Sequence, residues 1–411
     1  MEDVFIIGVG MNRFGKYLDI SMKELAEQGV AAALADAGIA REDLEATFVA
    51  NSFWGMFADQ HSIRGQVMLR PLEIQGIPIV NTENACAGAS TAFHLAYTAI
   101  RAGMYKCALA LGVEKICNED RMLSLKSYAT CLDVEEFPQH IQSLMDLSDS
   151  LKLDIPDSGA PGEGRSVFMD LYAIGARWHM AKYGSTQRQL ATISAKNHWH
   201  SSMNPLAQYQ DDMSVEQVLA DKPISFPLTR PMCAPVGDGA AAAVLCSSAF
   251  LRRLAAARPV RIAASVLGSG RDRDMDGEDI GFRLSRRAYD IAGVGPKDID
   301  IAEVHDATAY GELHQTEALG FCEEGMGGPL AETGATRLGG RLPINTSGGL
   351  ESRGHPIGAS GLAQIHEIVT QLRGEAGKRQ AEGLRLGLTE NGGGNIGVEE
   401  ASMTIHILER M

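Results

Sequence analysis

Apolar positions along the chain follow two rhythms that alternate. Through LAEQGVAAALADAG they recur at helical spacing, Gly38 stops the pattern, a short acidic linker follows, and Phe48, Val49 and Ala50 form a continuous apolar run of strand character. SRRAYDIAGVGPKDIDIAEVHD repeats that order near the other end of the chain. Each copy continues with an apolar strand that ends in Asn-Thr, at Asn81-Thr82 in IPIVNTENACAGAS and at Asn345-Thr346 in LPINTSGGLESRGHPIGAS. A helix of small residues comes next, then a closing strand, KCALALGVE in one copy and LRLGLTENGGG in the other. The stretch 22–118 laid over 286–400 therefore reads as an internal duplication.

Strands that alternate with helices and are apolar on both sides predict sheets covered on both faces. Two such units in one chain predict an α/β fold of five layers, αβαβα, built from duplicated halves. Residues 119–224 break the rhythm with polar DVEEFPQHIQ, Pro/Gly-rich PDSGAPGEGRS and amphipathic DLYAIGARWHMAKYG, and read as an inserted loop domain laid over the body. PVGDGAAAAVLCSS then reads as a buried strand that completes the first half. The expected division is 1–118 with 225–258 as the N-terminal half, 119–224 as the loop domain, and 259–411 as the C-terminal half.

Composition narrows the function. The 411 residues are 45% hydrophobic and 22% charged, which excludes a disordered chain, a small disulfide scaffold and a collagen-like fibre. A net charge of −15 argues against broad contact with a nucleic-acid backbone, so an anionic ligand must find a local positive site. The seven cysteines are scattered without a Cys-x-x-Cys pair and matching His or Cys set, which predicts neither a metal site nor a disulfide framework and fits a reducing compartment. The apolar stretch in MEDVFIIGVGMNRFGK is too short for a signal or a membrane span, so the expectation is a cytoplasmic protein.

Candidate chemistry gathers at the two strand-to-helix turns. Cys86 follows a buried strand at the start of a helix of small residues, where free amides and the helix dipole favour a thiolate and small neighbours let a substrate approach. Taken alone, Cys86 reads equally well as a small core residue. His355, between a glycine and a proline in the matching turn, reads alone as a turn with a capping histidine. A twofold relation between the copies brings it to Cys86 as the base a cysteine nucleophile needs. His305, ending the strand AEVHD, is placed to donate to a developing oxyanion, or simply to bond Asp306. In TENGGGNIG three glycines expose amides that suit a second oxyanion cradle, beside Glu390 and Asn391.

Over nearly its whole length the sequence resembles the thiolase superfamily, and most closely its sterol-carrier-protein-type branch, the nonspecific lipid-transfer protein thiolases. The resemblance rests on NTENACAGAS, GDGAAAAVL, the HD of EVHDATAY, GHPIGASG and the C-terminal GGG turn. It implies Cys86 as the acylated nucleophile, His355 as its activator, His305 in the first oxyanion hole, and the amides of Cys86 and Gly392 in the second. It also implies coenzyme A as a co-substrate with no permanently bound cofactor, a pantetheine channel to which Met169 of the loop region is a candidate contributor, and a homodimer or dimer of dimers. Where most members carry a second cysteine two residues before the GGG triplet, this chain has Glu390, a carboxylate able in principle to move a proton. Thiolase-like proteins without that cysteine include enzymes of bulky, branched or aromatic acyl groups and retro-aldolases, several working with a small zinc-ribbon and OB-fold partner. The resemblance thus implies cleavage of a bulky 3-oxoacyl-CoA. The alternatives are a Claisen-type synthase or other acyltransferase, a retro-aldolase, or a non-catalytic lipid-carrying scaffold.

Overall fold

The structure, a computed structural model, describes residues 2–156 and 161–411; residues 157–160 of the Pro/Gly-rich PDSGAPGEGRS lie outside the described residues. Nine strands share one sheet: β1 (Val4–Met11), β2 (Ala46–Ala50), β3 (Ile79–Thr82), β4 (Cys107–Glu114), β7 (Gly239–Ser247), β8 (Val260–Ser269), β9 (Ile301–Glu303), β10 (Leu386–Ile396) and β11 (Glu399–Arg410). β5 (Pro223–Ser225) and β6 (Leu228–Thr229) form a separate hairpin. The helices that matter here are α1 (Met22–Ala37), α2 (Gly88–Arg101), α3 (Val167–Tyr183), α4 (Gln187–Ser202), α5 (Ile280–Ala292), α6 (Ala309–Ala318) and α7 (Ser360–Leu372).

The strand order, β3-β2-β4-β7-β1-β8-β11-β10-β9, is two copies of one arrangement joined back to back. In the first, β3, β2 and β4 run parallel and β7 and β1 complete the sheet antiparallel. In the second, a parallel bridge at Ile344, then β9 and β10, are followed by antiparallel β11 and β8. The copies meet where Phe5 pairs with Arg261 and Ile6 with Val260. The outer helices match as well. Ser21 and Glu24 cap α1 reciprocally and Gly38 ends it at φ 65°; Asp279 caps α5 and Gly293 ends it at φ 70°.

The hydrophobic cores reveal the layers. One core packs α1 (Leu25, Val30) on one face of the first sheet (Ile7, Leu109, Val244). Another packs α5 (Leu284, Ala288) on the far face of the second (Val266, Met403, Ile405). Between the sheets a third core holds α2 (Phe93, Ile100) and α7 (Leu362, Ile365, Ile368) against β1, β8 and β9. The chain therefore folds as αβαβα, with the two central helices largely buried and their first turns wholly packed between the sheets, and that is why NACAGAS and GHPIGAS are so poor in large residues. α3 and α4 pack with Leu228, Met232 and Leu313 in a core of their own beside α6. No helix among the described residues is long and apolar enough to cross a membrane.

Candidate active site

β3 and the bridge at Ile344 each lead into a turn that closes with a 3-10 segment, Ala85–Ala87 before α2 and Ile357–Ala359 before α7. The two turns abut because glycines let backbone meet backbone. A Cβ at Gly112 would sit 2.3 Å from the Gly358 carbonyl oxygen. One at Gly393 would sit 2.3 Å from the Asn84 oxygen and 2.4 Å from the Ala87 nitrogen. Glu114 ties the second turn to the loop after β2: its carboxylate accepts from the backbone amides of Ser52 (2.9 Å), Phe53 (3.2 Å) and Gly358 (3.2 Å), and burial pushes its pKa up to about 7. Ala85 takes a left-handed φ of 46°, held by its N–H donating to Glu83 Oε1 at 2.7 Å.

This packing brings Cys86, His305 and His355 together. The sulfur and one nitrogen of each ring lie within 4.8 Å of one another, and the rings meet edge to face with centroids 5.2 Å apart. Their hydrogen bonds assign opposite tautomers. Ser360 Oγ donates to the Pro356 carbonyl at 2.9 Å, so its 2.6 Å contact with His355 Nδ1 requires the ring to donate, which leaves Nε2 as the basic nitrogen. Asn391 sets its oxygen 2.7 Å from Ser90 Oγ and turns its Nδ2–H to His305 Nδ1 at 2.9 Å, and in that orientation the proton of the ring sits on Nε2. One imidazole is therefore set as a base and the other as a donor. Burial holds both neutral: the pKa of His305 falls to about 3 and that of His355 falls well below its usual value, His305 and Arg353 adding to the effect.

The thiolate expected at Cys86 is not the resting form. Burial, with Glu83 and Glu114 adding to it, pushes the thiol up to about 12, against the amides of Gly394 and of Cys86 itself, which pull the other way. The sulfur opens onto a cavity but sits deep beneath the surface, and desolvation outweighs two amide dipoles. The site rests as neutral thiol and neutral imidazole.

The cavity measures about 220 Å³, and Met169 and Gly392 line it together with the three residues above. Glu390 does not. It is sealed at 0% exposure, its Oε2 accepts the His305 N–H at 2.8 Å, its Oε1 has no partner, and burial raises its pKa to about 8. The carboxyl on the cavity wall is Glu400, which reaches back from β11 over Gly392, where a Cβ would meet its Cγ at 2.9 Å. Sequence reading missed Glu400 because β11, though it alternates Met403, Ile405 and Ile407 with Ser402, Thr404 and His406, has no counterpart in the motifs that exposed the duplication. Ser360 sat inside the GHPIGAS motif without a chemical signal of its own.

The thiolase N-terminal domain model matches residues 4–224, and the thiolase C-terminal domain-like model matches residues 279–410. The chain belongs to the thiolase family. Among relatives of this thiolase, an acetyl-CoA acetyltransferase of Methanothermobacter thermautotrophicus is 37% identical over the full length of both chains. Sterol carrier protein 2 of Bos taurus is 37% identical over 94% of this chain and 69% of its own, which agrees with the branch the motifs resemble. Benzoylsuccinyl-CoA thiolase subunit BbsB of Thauera aromatica is 33% identical over 95% of this chain and 94% of its own. Of solved structures, the Ltp2-ChsH2(DUF35) aldolase superposes with a TM-score of 0.76 at 24% identity, over 99% of this chain and 98% of that one, a likeness of fold. The thiolase is thus an enzyme of the acyl-CoA acyltransferase class.

Proposed function

We propose that this thiolase cleaves a bulky, branched or aromatic 3-oxoacyl-CoA with free coenzyme A, through an acyl group carried on Cys86. The observation that carries the reading is the pair of opposed tautomers around one sulfur. His355 Nε2 takes the Cys86 proton as the sulfur adds to the 3-oxo carbon, so the charge separates only as the bond forms. The oxygen that gains charge meets His305 Nε2–H, a donor fixed in place by Asn391 before the reaction begins. The bond between C2 and C3 then breaks with its electron pair going to C2, and that carbon takes a proton. Glu400, whose pKa is raised by desolvation and by Asp279 and which faces the cavity, supplies this proton in place of the Glu390 first expected. The thiol of coenzyme A attacks the acyl-Cys86 and its proton returns to Glu400, while His355 gives its proton back to the sulfur. The amides of Cys86 and of the Gly392–Gly394 run serve the thioester oxygen of the acyl-enzyme. Met169, with Arg165 and Arg230 at the same cavity, lines the path for the pantetheine arm and the phosphates of coenzyme A.

The size of the acyl group is supported by a second chamber beyond the first, and by a relative named for benzoylsuccinyl-CoA. We also infer a cytoplasmic setting, consistent with seven free cysteines, assembly as a homodimer or dimer of dimers, and a small partner subunit of the kind paired with the Ltp2 aldolase. The test is turnover of 3-oxo-3-phenylpropanoyl-CoA with coenzyme A, assayed for benzoyl-CoA and acetyl-CoA. Both products are expected in equal amounts, and Cys86→Ser abolishes them. An active Cys86→Ser enzyme, or benzoyl-CoA or more than one equivalent of acetyl-CoA per site formed without free coenzyme A, overturns the reading.

A further inference from the structure

The catalytic cavity does not end at Cys86. Phe168, Tyr172, Gly394 and Glu400 border both it and a larger chamber of about 370 Å³ that runs between α3, α5, α6 and the β10–β11 turn. A chamber of this volume takes a ligand of drug size. Its wall is unusual for this chain. It contains Phe168, Tyr172, Trp178, Tyr183, Phe282 and Tyr310, although the whole sequence has only 3 Trp, 9 Tyr and 12 Phe. Four of the six come from one side of α3, where Gly175 makes room: a Cβ there would strike Tyr310 Cε1 at 2.6 Å. Aromatic walls on helices held by their own core favour a flat, rigid guest.

The charges of the chamber are as informative as its rings. Every basic side chain on its wall, among the described residues, is already engaged. Lys182 pairs with Asp276 and lies over the rings of Trp178 and Tyr183, 4.6 and 4.9 Å from their centroids. Arg273 pairs with Asp279 and Glu399, His314 with Asp279, and His179 with Glu317. Glu278, Glu324 and Glu400 add further carboxyls. A guest that brought its own carboxylate would meet a wall with acid in excess and no uncommitted cation among the described residues, and would lose hydration without a partner.

We infer that this chamber holds the acyl half of the substrate, and that it selects acyl groups ending in an uncharged aromatic or fused-ring system over those bearing a remote carboxylate. The inference rests on the proposed thiolase reaction for its route into the site, but it is tested separately by binding. Titration calorimetry on the Cys86→Ser protein with S-(2-naphthoyl)pantetheine, and with the 6-carboxy analogue, reads the chamber without turnover. The neutral probe is expected to bind at least tenfold tighter than the carboxylate. Leu171→Trp, and as a second filling variant Ala318→Leu, are expected to weaken the neutral probe at least tenfold, and Asp276→Asn, which releases Lys182, to narrow the gap between the probes. In turnover, Leu171→Trp should lower the kcat/KM ratio of 3-oxo-3-phenylpropanoyl-CoA to acetoacetyl-CoA at least tenfold. Equal binding of the two probes, or naphthoyl affinity untouched by both filling variants, overturns the inference. Selective binding in a protein that cleaves no ester leaves the inference standing and removes the reaction instead.

Discussion

Replacing Ser360 by alanine tests the tautomer argument, because it changes neither the sulfur nor either imidazole. Ser360 is fully buried, and its hydroxyl is the acceptor that obliges His355 to carry its proton on Nδ1. Without it that N–H faces an apolar methyl, and leaving a buried donor unsatisfied costs about 1–3 kcal/mol. The ring then populates the other tautomer, with its proton on Nε2 and no lone pair for the thiol. At about 1.4 kcal/mol per factor of ten, the loss of productive enzyme is roughly 5- to 150-fold. The assay is kcat/KM for thiolysis, with the rate of Cys86 acylation followed by intact-protein mass in single turnover. We expect both to fall together by at least about fivefold, while melting shifts by only a few degrees because the loss is confined to the two hydrogen bonds of one hydroxyl, to Pro356 and to His355. A folded Ser360→Ala enzyme within twofold of wild type would mean that the base is not set by this network.

Three further outcomes follow from the same geometry. With the Cys86 thiol pushed up to about 12, alkylation of the free enzyme by iodoacetamide should be slow at pH 7 and climb about tenfold per pH unit to pH 10; a rate flat across that range would show a resting thiolate instead. Glu400→Gln should reduce cleavage by about a hundredfold or more and abolish exchange of the acetyl-CoA methyl hydrogens with solvent deuterium, whereas Glu390→Gln, removed from the cavity, should retain the exchange; the reverse ranking refutes the assignment. Gly393→Ala drives a methyl into the backbone of the nucleophile turn and should cost more than about 4 kcal/mol, seen as loss of folded protein. Gly88→Ala, whose Cβ would meet nothing closer than 3.5 Å, should fold normally, and equal melting temperatures for the two would contradict the packing described.

The fold was largely legible in the sequence because a duplicated chain states its pattern twice: the stops at Gly38 and Gly293, the Asn-Thr strand ends and the small-residue helices needed no structure to be matched. Cys86, His305 and His355 were legible for the same reason, since the duplication predicts where two turns meet. What escaped is whatever depends on depth and on direction of approach. Amide dipoles at a helix start are visible in a sequence, but the desolvation that overrides them at Cys86 is not, because it is set by layers packed from both halves. Glu390 stands at the motif position and Glu400 ten residues later, and only the fold of the β10–β11 hairpin decides which carboxyl meets the cavity. Ser360 and Asn391, which choose the tautomers, are ordinary polar residues until their partners are known.

The most direct test of the account is the chemical state of one peptide. After incubation with 3-oxo-3-phenylpropanoyl-CoA in the absence of coenzyme A and a quench in acid, the tryptic fragment that contains Cys86 should gain the mass of a benzoyl group, and the adduct should vanish when coenzyme A is added. Benzoyl mass on any other residue, or an unmodified Cys86 in an enzyme that still turns over, would contradict the convergence of one thiol and two oppositely protonated imidazoles on which the mechanism stands.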